Sequence, residues 1–202
     1  MVRKRVASTH YFSKKPSKYG KKYLISLHIH GHTLEFLTYS SLFSGKKIDE
    51  GTRLLLEYIK VPREGTVVDL GCGYGVIGIT IAKINPRLKV YMVDINPLAV
   101  KVSRYNAKIN GVEENVVVLL GDLYEPVKNL KFDAIYSNPP LSAGKDIVEK
   151  LIIEAKDHLK ENGFIQLVLA KGGEYYRSLS EKYYKKVEAI SKKGYVILTM
   201  YK

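Results

Sequence analysis

The sequence predicts a doubly wound α/β fold: a seven-stranded sheet with helices on both faces and a small β-hairpin ahead of it. From Thr66 onward, short apolar runs alternate with amphipathic stretches of helical length, the pattern of a parallel sheet with crossover helices. The first of these runs ends in a glycine turn, Gly71, Gly73 and Gly75, at the point where such sheets bring backbone close to a ligand. At 202 residues, 46% of them hydrophobic and 26% charged, the chain matches one domain with an appendage and a sizeable core.

In chain order, residues 23–29 and 33–38 alternate apolar with polar and turn at Gly31, a hairpin signal. The period changes at Asp49, after which Leu54, Leu55, Tyr58 and Ile59 share a helical face and Pro62 closes the helix. Strand 66–70 leads through the glycine turn into helix 76–84. Strand 89–95 leads into a helix that Asn96 caps, Pro97 begins, and Asn110 with Gly111 ends in a left-handed turn. Residues 115–122 and 132–141 give two more strands. A helix over 146–161 carries Ile147, Leu151, Ile152, Ala155 and Leu159 and stops at Asn162 and Gly163. Strand 164–171 precedes a helix from about Glu174, and residues 187–191 and 195–201 form a closing hairpin. The expected division is a basic extension with the β-hairpin over 1–48 and the main domain over 49–202.

Charge is unevenly placed. Of 33 Lys and Arg against 20 Asp and Glu, a net charge of +13, residues 1–34 hold eight basic groups and no acid, and residues 171–202 hold eight basic groups and three acids. The stretch between is neutral. Basic ends around a neutral middle suit a site-bearing core flanked by surfaces that grip a polyanion such as RNA; a lysine-rich solubilising surface of the kind heat-adapted proteins carry is an equal contender. No apolar run approaches the roughly 18–20 residues of a membrane helix, and no apolar segment follows the basic start as in a secretory signal. A single cysteine, Cys72, forms no internal disulfide, which fits the cytoplasm.

The glycines Gly73, Gly75 and Gly78 satisfy GxGxxG with Asp94 21 residues after the first, so a dinucleotide has to be weighed. Asp69 argues against it. A carboxylate at that strand tip repels a pyrophosphate and attracts an ammonium and a sulfonium. Asp94 ends the second strand, where it can accept ribose hydroxyls, and Asp122 ends the third, where it can accept an adenine amino group. Carboxylates at three consecutive strand ends outline an adenosine joined to an amino acid, S-adenosylmethionine.

The fourth strand ends in Asn138, Pro139, Pro140 and Leu141. Asn–Pro–Pro is a good strand stop in its own right. At the carboxyl edge of a parallel sheet, however, the Asn138 side-chain oxygen and the Pro139 carbonyl can accept both hydrogens of a planar NH2 group and aim its lone pair at a methyl group.

With these motifs the chain resembles class I S-adenosylmethionine-dependent methyltransferases of the small methyltransferase (MTS) group, related to RsmC-like ribosomal RNA guanine-N2 methyltransferases. The resemblance runs through HYFSKKP, LFSGKKIDEGTRLLLE, VVDLGCGYGVIGI, VDINPLAV, GDLYE and NPPLSAGK. It implies a Rossmann-like sheet and a cofactor site formed by Asp69, the loop Gly71, Cys72, Gly73 and Gly75, then Asp94, Ile95, Asp122, Leu123 and Asn138. It also implies that Asp49 and Thr52 close over the methionine end, although an ordinary helix N-cap explains Asp49 equally well. Catalysis falls to Asn138, Pro139 and Pro140, and the acceptor to Leu141, Lys145 and Phe43. Many enzymes of this kind that act on adenine or glutamine have an aromatic residue after the prolines. Leu141 stands there instead, which favours guanine N2 and leaves stacking to Tyr39 or Phe43.

The implied substrate is ribosomal RNA or the small ribosomal subunit. The alternatives are adenine N6, a protein glutamine N5, and an inert cofactor fold that only binds RNA. Three other features are assigned packing or minor roles. Cys72 sits inside the glycine loop rather than at a nucleophile's strand end. His28, His30 and His32 lack a carboxylate or cysteine partner for a metal. The tyrosines among 175–186 alternate with charge as RNA-contacting surfaces do, but lie at a spacing that favours packing.

Overall fold

The computed structural model describes residues 19–139 and 144–202, so Pro140, Leu141 and the basic residues 3–18 lie outside the described residues. A hairpin of β1 (Lys22–Ile29) and β2 (His32–Tyr39) precedes α1 (Glu50–Glu57). Then follow β3 (Gly65–Leu70), α2 (Val76–Ile84), β4 (Leu88–Asp94), α3 (Pro97–Ile109), β5 (Val116–Leu120) and β6 (Phe132–Ser137). The chain continues through α4 (Lys145–His158), β7 (Leu159–Leu169), α5 (Gly173–Ser180), β8 (Lys186–Lys192) and β9 (Tyr195–Tyr201).

The last seven strands form one sheet in the order β5, β4, β3, β6, β7, β9, β8. Pairing is parallel from β5 to β7, and β9 runs antiparallel between β7 and β8. The expected seven-stranded doubly wound sheet with a hairpin ahead of it is what the chain builds. Strand order reverses at β3, whose neighbours are β4 on one side and β6 on the other. A crevice opens at such a switch point, beyond the carboxyl ends of the strands. Among the described residues no helix is long and apolar enough to cross a membrane.

Two apolar clusters cover the sheet. On one face Leu54, Ile79, Val100 and Val102 pack with the hairpin residues Leu27, Leu34 and Phe36; on the other Val148, Leu151, Ile152 and Tyr176 pack over β6 and β7. The described hairpin therefore shares the core of the main domain.

Two asparagines, one on α3 and one capping its end, fasten that hairpin. Asn106, fully buried, accepts from the Leu37 N–H at 2.8 Å and donates to the Leu37 carbonyl at 2.9 Å and the Tyr74 carbonyl at 2.7 Å. One turn later Asn110 pairs with the N–H and carbonyl of Glu35 in the same way. Each amide acts as a short piece of neighbouring strand for β2, and Asn106 also anchors the glycine loop. Asn106→Ala is expected to destabilise the protein by about 3 kcal/mol, because it leaves buried backbone groups unpaired, which a urea titration will read. Asn106→Leu, which keeps the volume, is expected to fare no better for the same reason.

Two helix ends differ from expectation. α1 ends at Glu57, well before Pro62, with Tyr58 as its C-cap. α4 ends at His158 instead of reaching Asn162 and Gly163, because the backbone of the buried Leu159 pairs with Phe132 of β6. Asn162 keeps a left-handed φ of 63° but spends it on a bulge inside β7, where the register with β6 shifts. α3 starts and stops as expected, with Asn96 accepting from the Leu98 N–H and Gly111 at φ 65° after its end.

Candidate active site

The site is assembled at the carboxyl ends of β3, β4, β5 and β6. Past β3 the chain turns through Gly71 and Gly73, at φ 71° and 57°. A Cβ at either would meet open space, so it is the left-handed backbone that selects glycine there. Gly78 is selected by crowding: a Cβ would lie 2.6 Å from Cγ of Met92, and its absence lets α2 lie against β4.

The turn is tied to the next strand. The N–H groups of Gly71 and Cys72 donate to the Val93 carbonyl at 2.8 and 3.0 Å, and Gly73 N–H donates to Oδ2 of Asp94 at 2.8 Å. Oδ1 of Asp94 accepts from Asn96 N–H at 2.8 Å. Asp94 thus holds both loops while its carboxylate lines a cleft of about 300 Å³. Ile95, Asp122, Leu123, Gly71, Gly73, Phe43 and Asn138 line the same cleft. Leu123 holds a left-handed φ of 43° on its wall, an unfavourable conformation for a leucine of the kind that collects at binding sites. A narrower extension of about 40 Å³ shares Phe43, Gly71, Gly73 and Asn138 and adds Asp49, Thr52, Cys72 and Tyr74. Together the two make one groove, wide and strongly apolar with carboxylates at one end, and narrower and less apolar at the other.

Asn138 stands where the two parts meet. Its Nδ2 donates to Oδ2 of Asp49 and to Oγ1 of Thr52, both at 2.8 Å. Asp49 Oδ2 also accepts from Thr52 N–H at 3.0 Å, so Asp49 is the N-cap of α1 and a groove residue at once. With both amide hydrogens engaged, the orientation of the Asn138 side chain is fixed and Oδ1 is its remaining polar atom. Ser137 Oγ, donating to the Leu70 carbonyl at 2.7 Å, ties the end of β6 to that of β3.

Several expected residues take other positions. Asp69 is 1% exposed and lies behind the glycine loop, not in the groove. Its Oδ2 accepts from Gly78 N–H at 2.9 Å, and its Oδ1 is buried with no hydrogen-bond partner. The carboxylate on the narrow end of the groove is Asp49. Gly75 is the buried N-cap of α2, removed from the groove. Pro139 and Lys145 line a separate neighbouring cavity. Tyr39 packs edge-on against Tyr19, so of the two rings expected for stacking it is Phe43, 55% exposed, that lines the groove. Burial, with the charges of Asp69 and Asp94 nearby, pushes the Cys72 thiol up, contrary to what a nucleophile needs. His30 bonds to the Leu56 carbonyl at the end of α1, and His28 to Thr33 Oγ1, as hairpin packing expects.

Asp69 sets a pH dependence. Burial raises its carboxyl to about 7 from 3.8, with Gly78 N–H opposing and the Asp94 charge assisting. A raised carboxyl binds its proton more tightly folded than unfolded, so the stability it contributes is whole below about pH 3.8 and is gone once the pH passes about 7. The melting temperature of the ligand-free protein is expected to fall across that window by more than that of Asp69→Asn; parallel curves would show that Asp69 is not the group responsible.

Ile147, expected among the core residues of α4, is 41% exposed and lines the groove. Leu42, Ala99 and Tyr74 also line it without a sequence signal of their own, since apolar residues on element ends read as core. Asn106 carried a legible signal, a polar side chain on the buried face of α3.

The chain is similar to known proteins in sequence and in fold. The family described as "Methyltransferase small domain" matches residues 33–199. The chain is 35% identical over 196 residues to the uncharacterized protein YbxB of Bacillus subtilis, covering 95% of this chain and 97% of that one. It is 38% identical over 162 residues to the ribosomal RNA small subunit methyltransferase C of Aeromonas hydrophila, covering 78% of this chain and 46% of that one. Among solved structures, the T. thermophilus 16S rRNA N2 G1207 methyltransferase in complex with AdoMet and guanosine superposes with a TM-score of 0.78 at 24% identity, over 90% of this chain and 50% of that one. That likeness is one of fold. The chain spans about half the length of the ribosomal RNA methyltransferases and nearly all of the Bacillus protein.

Proposed function

The chain belongs to the methyltransferase small domain family, and we propose that it transfers a methyl group from S-adenosylmethionine to the exocyclic N2 of a guanine in ribosomal RNA, in the cytoplasm. The observation that carries this reading is the fixed amide of Asn138, whose hydrogens are taken by Asp49 and Thr52 at the junction of a two-part groove. An amide so held presents an oxygen acceptor to an NH2 group.

The residues present fit the cofactor. Asp94 would accept the ribose hydroxyls, Asp122 would face the adenine, Ile95 and Leu123 would cover its faces, and the backbone of Gly71 and Gly73 would admit the methionine portion beside Asp49 and Thr52. When bound, S-adenosylmethionine supplies a methyl group on a positive sulfur that departs with its bonding electron pair. Asn138 Oδ1 and the Pro139 carbonyl hold the acceptor hydrogens so that the nitrogen lone pair points along that bond. No side chain has to act as a strong base, because the methylated nitrogen is acidic enough to release its proton to water. The contribution of these residues is alignment and exclusion of water, and alignment of this sort supplies on the order of 7–11 kcal/mol in well-placed intramolecular reactions.

Grip on RNA falls to lysines at the chain's basic ends; of these, Lys182, Lys185, Lys186 and Lys192 are exposed around α5 and β8. The test is transfer of labelled methyl to ribosomal RNA and small subunits from cells lacking the protein, followed by nucleoside analysis. N2-methylguanosine that disappears with Asn138→Ala is the expected result. Label in N6-methyladenosine or in a protein glutamine would replace the guanine assignment. RNA binding indifferent to cofactor, with no transfer, would make the fold an inert binding module.

A further inference from the structure

Beside the groove lies a second cavity of about 390 Å³, roofed by α4 and α5 at the carboxyl end of β7. The two meet at consecutive residues: Asn138 lines the groove and Pro139 lines the cavity. The floor is apolar, from Val148, Leu169 and the buried Tyr176. The rim is not. Tyr175 is 44% exposed, Lys145 Nζ sits over one face of its ring, 4.1 Å from the centre, and Lys171, also exposed, lines the same cavity. The ring is held: Tyr175 O–H donates to Glu149 at 2.5 Å, Glu149 pairs with Lys145, and Tyr176 packs edge-on at 5.2 Å.

We propose that this cavity seats the nucleotide next to the acceptor guanosine in the RNA chain, its base on Tyr175 and its phosphate between Lys145 and Lys171. The inference rests on the reading of the groove as an RNA methyltransferase site and names a part of the substrate. Three features favour a nucleotide. The volume lies in the range of ligand cavities. An immobilised aromatic face beside cations is what an unstacked base and its phosphate require. The third is position: Asn138, whose Oδ1 takes one acceptor hydrogen, lines the groove and not the cavity, and Pro139, whose carbonyl takes the other, stands between the two, so a nucleotide in the cavity adjoins the acceptor.

The test is fluorescence anisotropy with a labelled single-stranded oligoribonucleotide of mixed sequence, alongside methyl transfer to small-subunit RNA and to free guanosine, on the full chain. Tyr175→Ala is expected to weaken oligonucleotide binding about 5- to 150-fold, the range for loss of one stacked base, while Tyr175→Phe keeps the ring and stays close to wild type. Joint replacement of Lys145 and Lys171 by Ala is expected to lower the salt dependence of binding by about 0.7 for each phosphate no longer neutralised. Melting curves identify any variant that fails to fold, and the Phe variant then carries the comparison against Tyr175→Leu. Oligonucleotide binding unaffected by loss of the ring overturns the proposal and leaves the methyltransferase reading standing. A ring-dependent affinity with no guanine methylation keeps the subsite and removes that reading. A loss as large for free guanosine as for RNA would seat the acceptor itself there, and no RNA binding by the wild type would end the proposal.

Discussion

Asn138→Ala is expected to lower the rate constant for methyl transfer at least about 100-fold, with a far smaller effect on S-adenosylmethionine affinity measured by calorimetry. Removing one preorganised polar group from a reaction centre costs about 100- to 1,000-fold in rate, and a displacement of about an ångström alone can cost about 100-fold. In the proposed reaction Asn138 would supply both the acceptor oxygen and the alignment. Its precision is borrowed from α1, because Asp49 Oδ2 and Thr52 Oγ1, each at 2.8 Å, hold the amide hydrogens. Asp49→Ser separates the two duties of that carboxylate. Serine caps a helix about as well as aspartate, so the melting temperature should hold, but the shorter side chain cannot reach Nδ2 of Asn138. The rate constant is then expected to fall about tenfold, and the double variant with Asn138→Ala should be no slower than Asn138→Ala alone, as for residues acting through one another. A rate unchanged in Asp49→Ser would reduce Asp49 to a cap.

Much of this site was legible because its residues are punctuation. Gly71, Gly73, Asp94 and Asn138 sit where strands stop, and strand ends are marked by residues with a backbone or chemical reason to be there. The helix over Pro97–Ile109 was readable at both ends for the same reason. What local sequence does not encode is which way a strand-end side chain turns. Asp69 and Asp94 face the same side of neighbouring strands, but Asp69 pairs with Met92, two residues short of Asp94, so the approach of α2 buries Asp69 against Gly78 while Asp94, further out, lines the groove. The early end of α4 likewise depends on a distant partner: Leu159 leaves the helix to pair with Phe132, 27 residues earlier in the chain. Ile147 reads as core by its spacing and becomes a groove wall because the sheet ends beneath it.

Asp94→Ala is expected to weaken S-adenosylmethionine binding at least about 100-fold, through two effects on one carboxylate. The first is direct. Hydrogen bonds to a charged acceptor contribute about 1.5–3 kcal/mol each, and both ribose hydroxyls would lose theirs. The second acts through the loops, since the N–H groups of Gly73 and Asn96 both end on Asp94, at 2.8 Å to different oxygens. Without them the glycine turn keeps its bonds to the Val93 carbonyl and to Asn106 but loses its tie to the start of α3, and binding must include the entropy of ordering that side of it. Asp94→Asn is the sharper variant. An amide has one oxygen and one NH2, so whichever way it turns, a donor faces either Gly73 N–H or Asn96 N–H. If the loop ties matter, Asn will bind cofactor nearly as poorly as Ala despite keeping the shape, whereas Asn close to wild type would leave the ribose contact as the only role of Asp94. Either outcome is read by calorimetry with S-adenosylmethionine, and hydrogen exchange at Gly73 and Asn96 tells loop ordering from ribose contact.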